Sequence, residues 1–416
     1  MFESKNMIGQ SVEDSTGLMD TLNVSISSFL RWLHHHGIAS HDPYDLWSTT
    51  YGKFVRRLYY RNRILGVLLV VPILGIDLLF PRAARLFLKK KIYPIANAQL
   101  IIGYINLYET TANEEYLVLA KNLAAELEKS SISGYSGNAW GYPFDWQSVI
   151  GAIPKDTPLI TTIPYCYEAF ARLHGVTNDK KLLDILHSIA NFVANDLHDT
   201  YLSGTASACS YTPLDKSMVV NANAYRSALL LDAFERFGDE RWKKKAIRNL
   251  QFVLGKQHQD GSWFYEPGRQ HNEFVDNIHT SFVLKNLCKI NEHMRAPDIG
   301  RAIQKGYGFY RENLFDTHDM PKPYAHVRRI SLVKTECYDF AEGIYLGVVL
   351  NDAIPGALEF AMRLAHIACD SFQMPEGNFT NRVYVWGGRN SVPYLRWPQA
   401  PMFLALTSLF KRMSEK

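Results

Sequence analysis

Four acidic residues stand where they could do chemistry: Asp145, between aromatics in WGYPFDW, and Asp276, Glu336 and Asp339 at the heads of apolar runs. His279 follows Asp276 by three positions, as Asp339 follows Glu336. Residues three apart on a helix share a face, so the first two make an acid/base pair and the second two a pair of carboxyls. Each also has a structural reading. Asp276 suits an N-cap, Glu336 and Asp339 suit a cap and first turn facing the helix dipole, and Asp145 suits a brace for its own loop. Two carboxyls held roughly 5 to 9.5 Å apart hydrolyse a glycosidic bond, one as acid and the other as nucleophile or base. In the alternative chemistry, Tyr225, Tyr338 or His279 removes a proton from the C5 carbon of a uronic acid while Arg396 or Asn223 neutralises the carboxylate.

Aromatic residues make up 13% of the chain, and many lie beside Gly and Pro rather than inside periodic runs. Trp140, Tyr142, Trp146, Trp263, Trp386 and Trp397, with Arg328, join the same set as candidate substrate contacts, because aromatic faces stack on pyranose rings. Arg396 suits a substrate carboxylate bidentately, and equally a bridge to an acid of the same region. The chemistry calls for no cofactor and no metal. His34, His35 and His36 have no carboxylate or Cys at ligand spacing and read as a solvated helix end.

The elements that must position these residues repeat. Apolar helical runs begin near Ala96, Thr161, Asn221, Asp276, Glu336 and Pro398, about 55 to 65 residues apart. Between them lie runs with one charged face, such as EEYLVLAKNLAAELEKSS and DERWKKKAIRNLQFVLGKQ. A helix apolar nearly all round is buried on most sides, and one with a charged face borders water. The alternation predicts an all-α fold, an (α/α)6 barrel of six hairpins, with an inner ring wrapped by an outer one. Short links join inner to outer helices. The long return loops, rich in Gly, Pro and aromatics, gather at one rim above the N-termini of the inner helices, and loops of that length usually carry function.

Residues 96–416 form the predicted toroid, and residues 1–95 an N-terminal helical extension whose first 50 or so residues pack on the barrel. Within the extension, ILGVLLVVPILGIDLLF is flanked by Arg56, Arg57, Arg61 and Arg63 on one side and by Arg82, Arg85, Lys89, Lys90 and Lys91 on the other. It sits at the short edge of spanning length. Segment 56–91 therefore reads either as an anchor on an anionic membrane surface or as a buried helical pair with solvated flanks. A net charge of +4, evenly spread, excludes a nucleic-acid footprint. The five cysteines, widely spaced and without a ligand pattern, read as reduced thiols, and the N-terminus has no secretory h-region. The expected setting is cytoplasmic, at most peripheral on the inner membrane face, with an oligo- or polysaccharide as substrate.

The run AIRNLQFVLGKQHQDGSWFY resembles the QW motif of squalene and hopene cyclases through Gln257, Gly261 and Trp263. In that family the motif staples a helix end to a loop, which implies a toroid and gives Trp263 a structural role to set beside substrate contact. The DxDD acid of those cyclases and the Asp-x-Cys zinc ligands of prenyltransferase β subunits are missing, so the resemblance does not imply terpene chemistry. WGYPFDWQ and the overall architecture resemble six-hairpin glycosidases and unsaturated glucuronyl hydrolases. YLRWPQAPMFLALTSL, with Arg396 and Trp397, and HTSFVLKNL are similar to the helical domain of glucuronyl C5-epimerases. Most of the chain is similar to toroid proteins of bacterial exopolysaccharide and capsule synthesis. These resemblances imply an enzyme that cleaves or modifies a surface polysaccharide or its lipid-linked precursor, or else a non-catalytic glycan-binding subunit of a synthase complex.

Overall fold

The computed structural model describes residues 3–148, 151–327 and 331–415. Its helices are α1 (Glu3–His36), α2 (Asp45–Ser48), α3 (Thr50–Arg61), α4 (Arg63–Leu79), α5 (Pro94–Thr111), α6 (Glu114–Lys129), α7 (Ile163–Thr177) and α8 (Lys181–Asn195). They continue as α9 (Val220–Phe237), α10 (Glu240–Gly255), α11 (Asn277–Met294), α12 (Pro297–Asn313), α13 (Cys337–Val349), α14 (Ala357–Phe372) and α15 (Gln399–Ser414). Helices α5, α7, α9, α11, α13 and α15 each touch the next, and α15 returns to α5, which closes an inner ring. The reason is compositional. Helix α5 is buried at every position from Pro94 to Leu107, and α9 from Val220 to Leu231, so neither has a face to offer water.

Helices α6, α8, α10, α12 and α14 pack on the inner helices that precede them. Helix α10 shows why: Trp242, Ala246, Leu250 and Val253 repeat at helical spacing and are buried, while Asp239 caps its first turn by accepting from the Arg241 amide. The sixth outer place is filled from the other end of the chain. Helix α1 lies against α14 and α15, burying Leu18, Leu22, Ile26, Phe29 and Leu33, with Phe29 stacked on Phe403 at 5.2 Å.

A repeated staple fixes the outer ring. Gln257 Nε2 donates to the carbonyl of Gly261 at 3.1 Å and of Ala302 in α12 at 2.9 Å. Gln373 Nε2 makes the equivalent bonds to Gly377 and to Ser25 in α1, both at 2.9 Å. Both glycines have positive φ, and a Cβ would lie 2.3 Å from the Lys305 carbonyl at Gly261 and 2.2 Å from the Ser28 carbonyl at Gly377. Only glycine satisfies both demands.

The long loops all enter inner helices, so they collect at one rim. Short antiparallel pairs stiffen them: β1 (Trp146–Ser148) with β2 (Gly151–Ile153), β3 (Asp199–Tyr201) with β4 (Ser207–Cys209), and β5 (Val275–Asp276) with β6 (Tyr324–His326). A three-stranded sheet joins β7 (Val333–Glu336), β8 (Arg382–Tyr384) and β9 (Arg389–Asn390). Pairs β5–β6 and β7–β8 tie the loops that enter α11, α13 and α15 to one another. Asp276 and Glu336 are the last residues of their strands and the N-cap positions of α11 and α13, which brings both carboxylates to the rim.

Candidate active site at the rim

Asp276 and His279 form a direct pair. The Asp276 Oδ1 accepts from the His279 amide at 2.9 Å, and Oδ2 meets His279 Nδ1 at 2.6 Å. Asp276 is thus a cap and an imidazole partner at once. With Nδ1 committed, Nε2 is the ring atom left for a ligand, and it has no hydrogen bond among the described residues. The ring stands edge-on to Tyr265, Phe274 and Phe282, with centroids at 4.5, 6.1 and 5.8 Å, and is half-buried.

Across the groove, on α13, the other carboxyl pair is divided by its surroundings. Glu336 makes no cap bond. Its Oε2 accepts from Trp397 Nε1 at 2.8 Å, and Oε1 forms an ion pair with Arg382 at 3.0 Å. Asp339, only 1% exposed, has no protein partner for Oδ2. Burial, then the neighbouring charges of Glu336 and Asp276, push its carboxyl well above the usual range. Tyr338 follows Cys337 in the first turn, against Trp397 at 4.3 Å, and its phenol is likewise driven up by burial.

The remaining candidates separate. Arg396 does not await a substrate: Nε and Nη2 grip Asp42 at 2.6 and 2.8 Å, and the guanidinium lies over Tyr142 at 4.6 Å. Of its two readings from sequence, this is the bridge to an acid: the bidentate pairing occupies Nε and Nη2, and Nη1 lies 3.4 Å from the Tyr142 hydroxyl. Tyr142 and Trp146 are half-buried and face each other with Tyr44, forming the aromatic floor of the bowl. Asp145 is drawn aside. Lys53 of α3 binds its Oδ2 at 2.5 Å and the Lys155 amide its Oδ1 at 2.9 Å, and these bonds, Lys53 first, lower its carboxyl below the usual range. It braces a loop against α3.

Asn223 and Tyr225 face inward. The Asn223 side chain accepts from the Cys209 amide at 2.7 Å and donates to the Val219 carbonyl at 2.8 Å, while Tyr225 donates to the Tyr165 hydroxyl at 3.1 Å. Trp140 and Trp263 are wall residues rather than bowl residues: buried, they donate their indole N–H to the Leu127 and Val253 carbonyls at the ends of α6 and α10. Trp386 is 52% exposed and stacks on Tyr384 at the tip of the β8–β9 hairpin. Arg328 lies outside the described residues. Among the described residues no group of three or more His, Cys, Asp or Glu is placed to hold a metal ion.

Sequence reasoning missed the axis of the ring. Lys285 Nζ, at the centre of α11, contacts Glu342 Oε2 at 2.7 Å and the Tyr165 hydroxyl at 2.6 Å. Burial draws this ammonium down, and Glu342 works against the shift. One layer deeper, Lys289 pairs with Glu168 at 2.6 Å. A lysine inside the otherwise apolar FVLKNL was the available signal. Among the described residues, the buried polar atoms without a partner include Asn97 Oδ1, both ends of Asn221 and Asn381 and Asp339 Oδ2 near the rim, with others such as Asn291 Oδ1 and Tyr307 Oη in the ring of helices away from it. A small open pocket beside His279 is lined by Asn221, Trp263, Tyr265, Phe274 and Asp276. A larger cavity of about 410 Å³ lies away from it, between α6, α7 and α8.

No protein-family model matches this chain, and no curated protein matches it. Solved structures do. An unsaturated glucuronyl hydrolase specific for heparin aligns with TM-score 0.63 at 11% identity, covering 96% of this chain and 97% of that one. A cellobiose 2-epimerase from Spirochaeta thermophila aligns with TM-score 0.58 at 13% identity, over 78% and 86%. A sugar epimerase from a ruminal bacterium aligns with TM-score 0.56 at 12% identity, over 76% and 87%. At these identities the likeness is one of fold, and it agrees with the closed ring of six hairpins described above.

Proposed function

We propose that this protein is a carbohydrate-active enzyme of bacterial surface-glycan synthesis, acting on a uronic-acid-containing polysaccharide or its lipid-linked precursor by proton transfer at a sugar carbon. One observation carries the reading. The first turns of the adjacent helices α11 and α13 hold an imidazole whose Nε2 has no hydrogen bond among the described residues and a buried carboxyl whose ionisation its site opposes. An oriented imidazole beside a carboxyl that resists ionisation suits a proton transfer. His279, oriented by Asp276, removes the proton. Asp339, buried behind the rim, resists ionisation and so adds no second negative charge beside the one that develops on the adjoining oxygen. The half-buried floor of Tyr142, Trp146 and Trp397 offers faces for sugar rings. The names of the structural neighbours, epimerases and a glucuronyl hydrolase, lend support, though a fold alone does not choose a reaction.

Glycosidic hydrolysis is the second reading. It is favoured by the raised carboxyl of Asp339, pushed up by burial and by the charges of Glu336 and Asp276, since an acid that resists ionisation beside a second carboxyl is the arrangement such cleavage uses. Incubation with uronic-acid glycans in D₂O, followed by mass spectrometry, separates the readings. Deuterium at carbon with unchanged chain length is the expected result. Shortening with a new ultraviolet-absorbing unsaturated end indicates elimination, and shortening without exchange indicates hydrolysis. Retention of glycan with neither change leaves a binding subunit and removes the enzymatic reading.

A further inference from the structure

The hairpin of α3 and α4 differs from the rest of the molecule because its apolar side chains face outward. Gly66 and Ile73 are the buried positions described in α4. A Cβ on Gly66 would lie 2.2 Å from the Tyr59 Cα, so glycine lets the two helices close. Beyond that seam the surface is greasy: Ile64 is 80% exposed, Leu68 67%, Leu79 68%, and Phe87, just past the helix, 95%. An unpartnered patch of this kind marks an interaction site.

Charge identifies the partner. Arg57 and Arg61 before α4, and Arg82, Lys89 and Lys90 after it, are exposed, and none pairs with a carboxylate among the described residues. The acid inside the hairpin, Asp77, is neutralised by Arg85 at 2.7 Å. An apolar helix with unpaired cations at both ends complements an anionic bilayer, whose headgroups carry the opposite charge and whose acyl region takes the side chains. We propose that this face docks on an anionic lipid bilayer with α4 lying in the plane of the interface.

The orientation follows from length and charge. No helix among the described residues is long and apolar enough to cross a membrane. Helix α4 has 17 residues and spans about 25 Å, short of the roughly 30 Å hydrocarbon core. Entry tip first would bury Arg61 and Asn62, whereas an in-plane helix keeps both charged ends among headgroups. Trp386, 52% exposed and stacked on Tyr384 at 4.8 Å, is a further aromatic of the kind that favours the bilayer interface. A symmetric dimer on this face would bring the unpaired cations of two copies together, which disfavours a second copy as the cover. Lys53, from the same hairpin, holds the rim loop through Asp145, so the bilayer would lie beside the bowl.

Sedimentation of the full chain with vesicles tests the proposal without any glycan present, so its outcome is independent of the catalytic reading. The protein is expected to bind vesicles of phosphatidylcholine with phosphatidylglycerol, and to bind phosphatidylcholine alone at least about tenfold less. Lys89→Glu/Lys90→Glu should lower binding to the mixed vesicles by roughly 25-fold or more, at about fivefold per basic residue, with weak binding to neutral vesicles unchanged. Leu68→Glu/Val71→Glu alters only exposed positions and should abolish binding to both while the circular dichroism and melting temperature hold. The proposal falls if the wild-type chain stays in the supernatant with anionic vesicles. It falls equally if both variants bind as wild type, or if the chain sediments as a dimer that Leu68→Glu/Val71→Glu dissociates and ignores lipid throughout.

Discussion

Helices α11 and α13 carry polar groups at two depths, and the two depths obey different rules. Halfway down the ring, Lys285, Glu342, Tyr165 and Ser281 bind one another in a buried cluster. At the rim, on the same two helices, Asp339 leaves an oxygen without a protein partner and His279 leaves a nitrogen without one. A buried polar group without a partner is costly. Saturation at the axis therefore marks structure, and the open imidazole nitrogen of half-buried His279 marks the place at the rim suited to a ligand.

Four perturbations would break or sharpen that contrast. Replacing His279 with Ala should lower turnover about 10²- to 10⁴-fold, the range for loss of a general base, measured as deuterium exchange into the glycan. Asp276→Asn keeps a good helix cap and loses the carboxylate, so exchange should fall while the melting temperature holds. At the axis the effect should be on stability instead. Lys285→Met leaves Glu342 charged and buried alone and should cost about 3–5 kcal/mol by denaturant unfolding, with Lys285→Met/Glu342→Leu restoring most of it. If the single variant melts as wild type, the axis is not the structural cluster described.

Asp339 makes a pH-dependent prediction of smaller size. Its carboxyl titrates higher folded than unfolded, so the folded state binds the extra proton. The resulting stability is complete below the unfolded value near about 3.9 and is lost as pH rises toward the folded value. Asp339→Asn removes the dependence and should raise the melting temperature by roughly 2–4 °C at pH 8, with no gain at pH 4. An equal gain at both would show that packing rather than ionisation is responsible. The smallest effect belongs to the outer surface. Lys181→Ala breaks the exposed pair with Glu128 at 3.0 Å and should change stability by about 1 kcal/mol or less.

The alternation of helix types was plain in the sequence because it is a local property: fourteen consecutive buried positions in α5 cannot be mistaken for the one-sided pattern of α10. The polarity of the ring was legible for a similar reason, since loop length is counted along the chain. The Asp276–His279 pair was also visible, being three residues apart on one helix. What was hidden depended on contacts between distant segments. Nothing near Arg396 announces Asp42, which lies 354 positions away, and Trp140 looks like a ligand contact until Leu127 is seen to accept its N–H. Asp145 was open between the bowl and a loop brace, because the partner that draws it aside, Lys53, comes from a distant helix.

Helix α1 occupies the outer place beside α14 and α15, and its bond from Gln373 to Ser25 spans 348 positions. During synthesis, then, α1 leaves the ribosome with Leu22, Ile26 and Phe29 uncovered and waits for almost the whole chain before its partners exist. Contacts of such high sequence separation slow folding and expose apolar surface to aggregation in the interval. Ring closure is the late event for this protein, and a nascent chain arrested before α15 would display the α1 stripe to whatever chaperone is at hand.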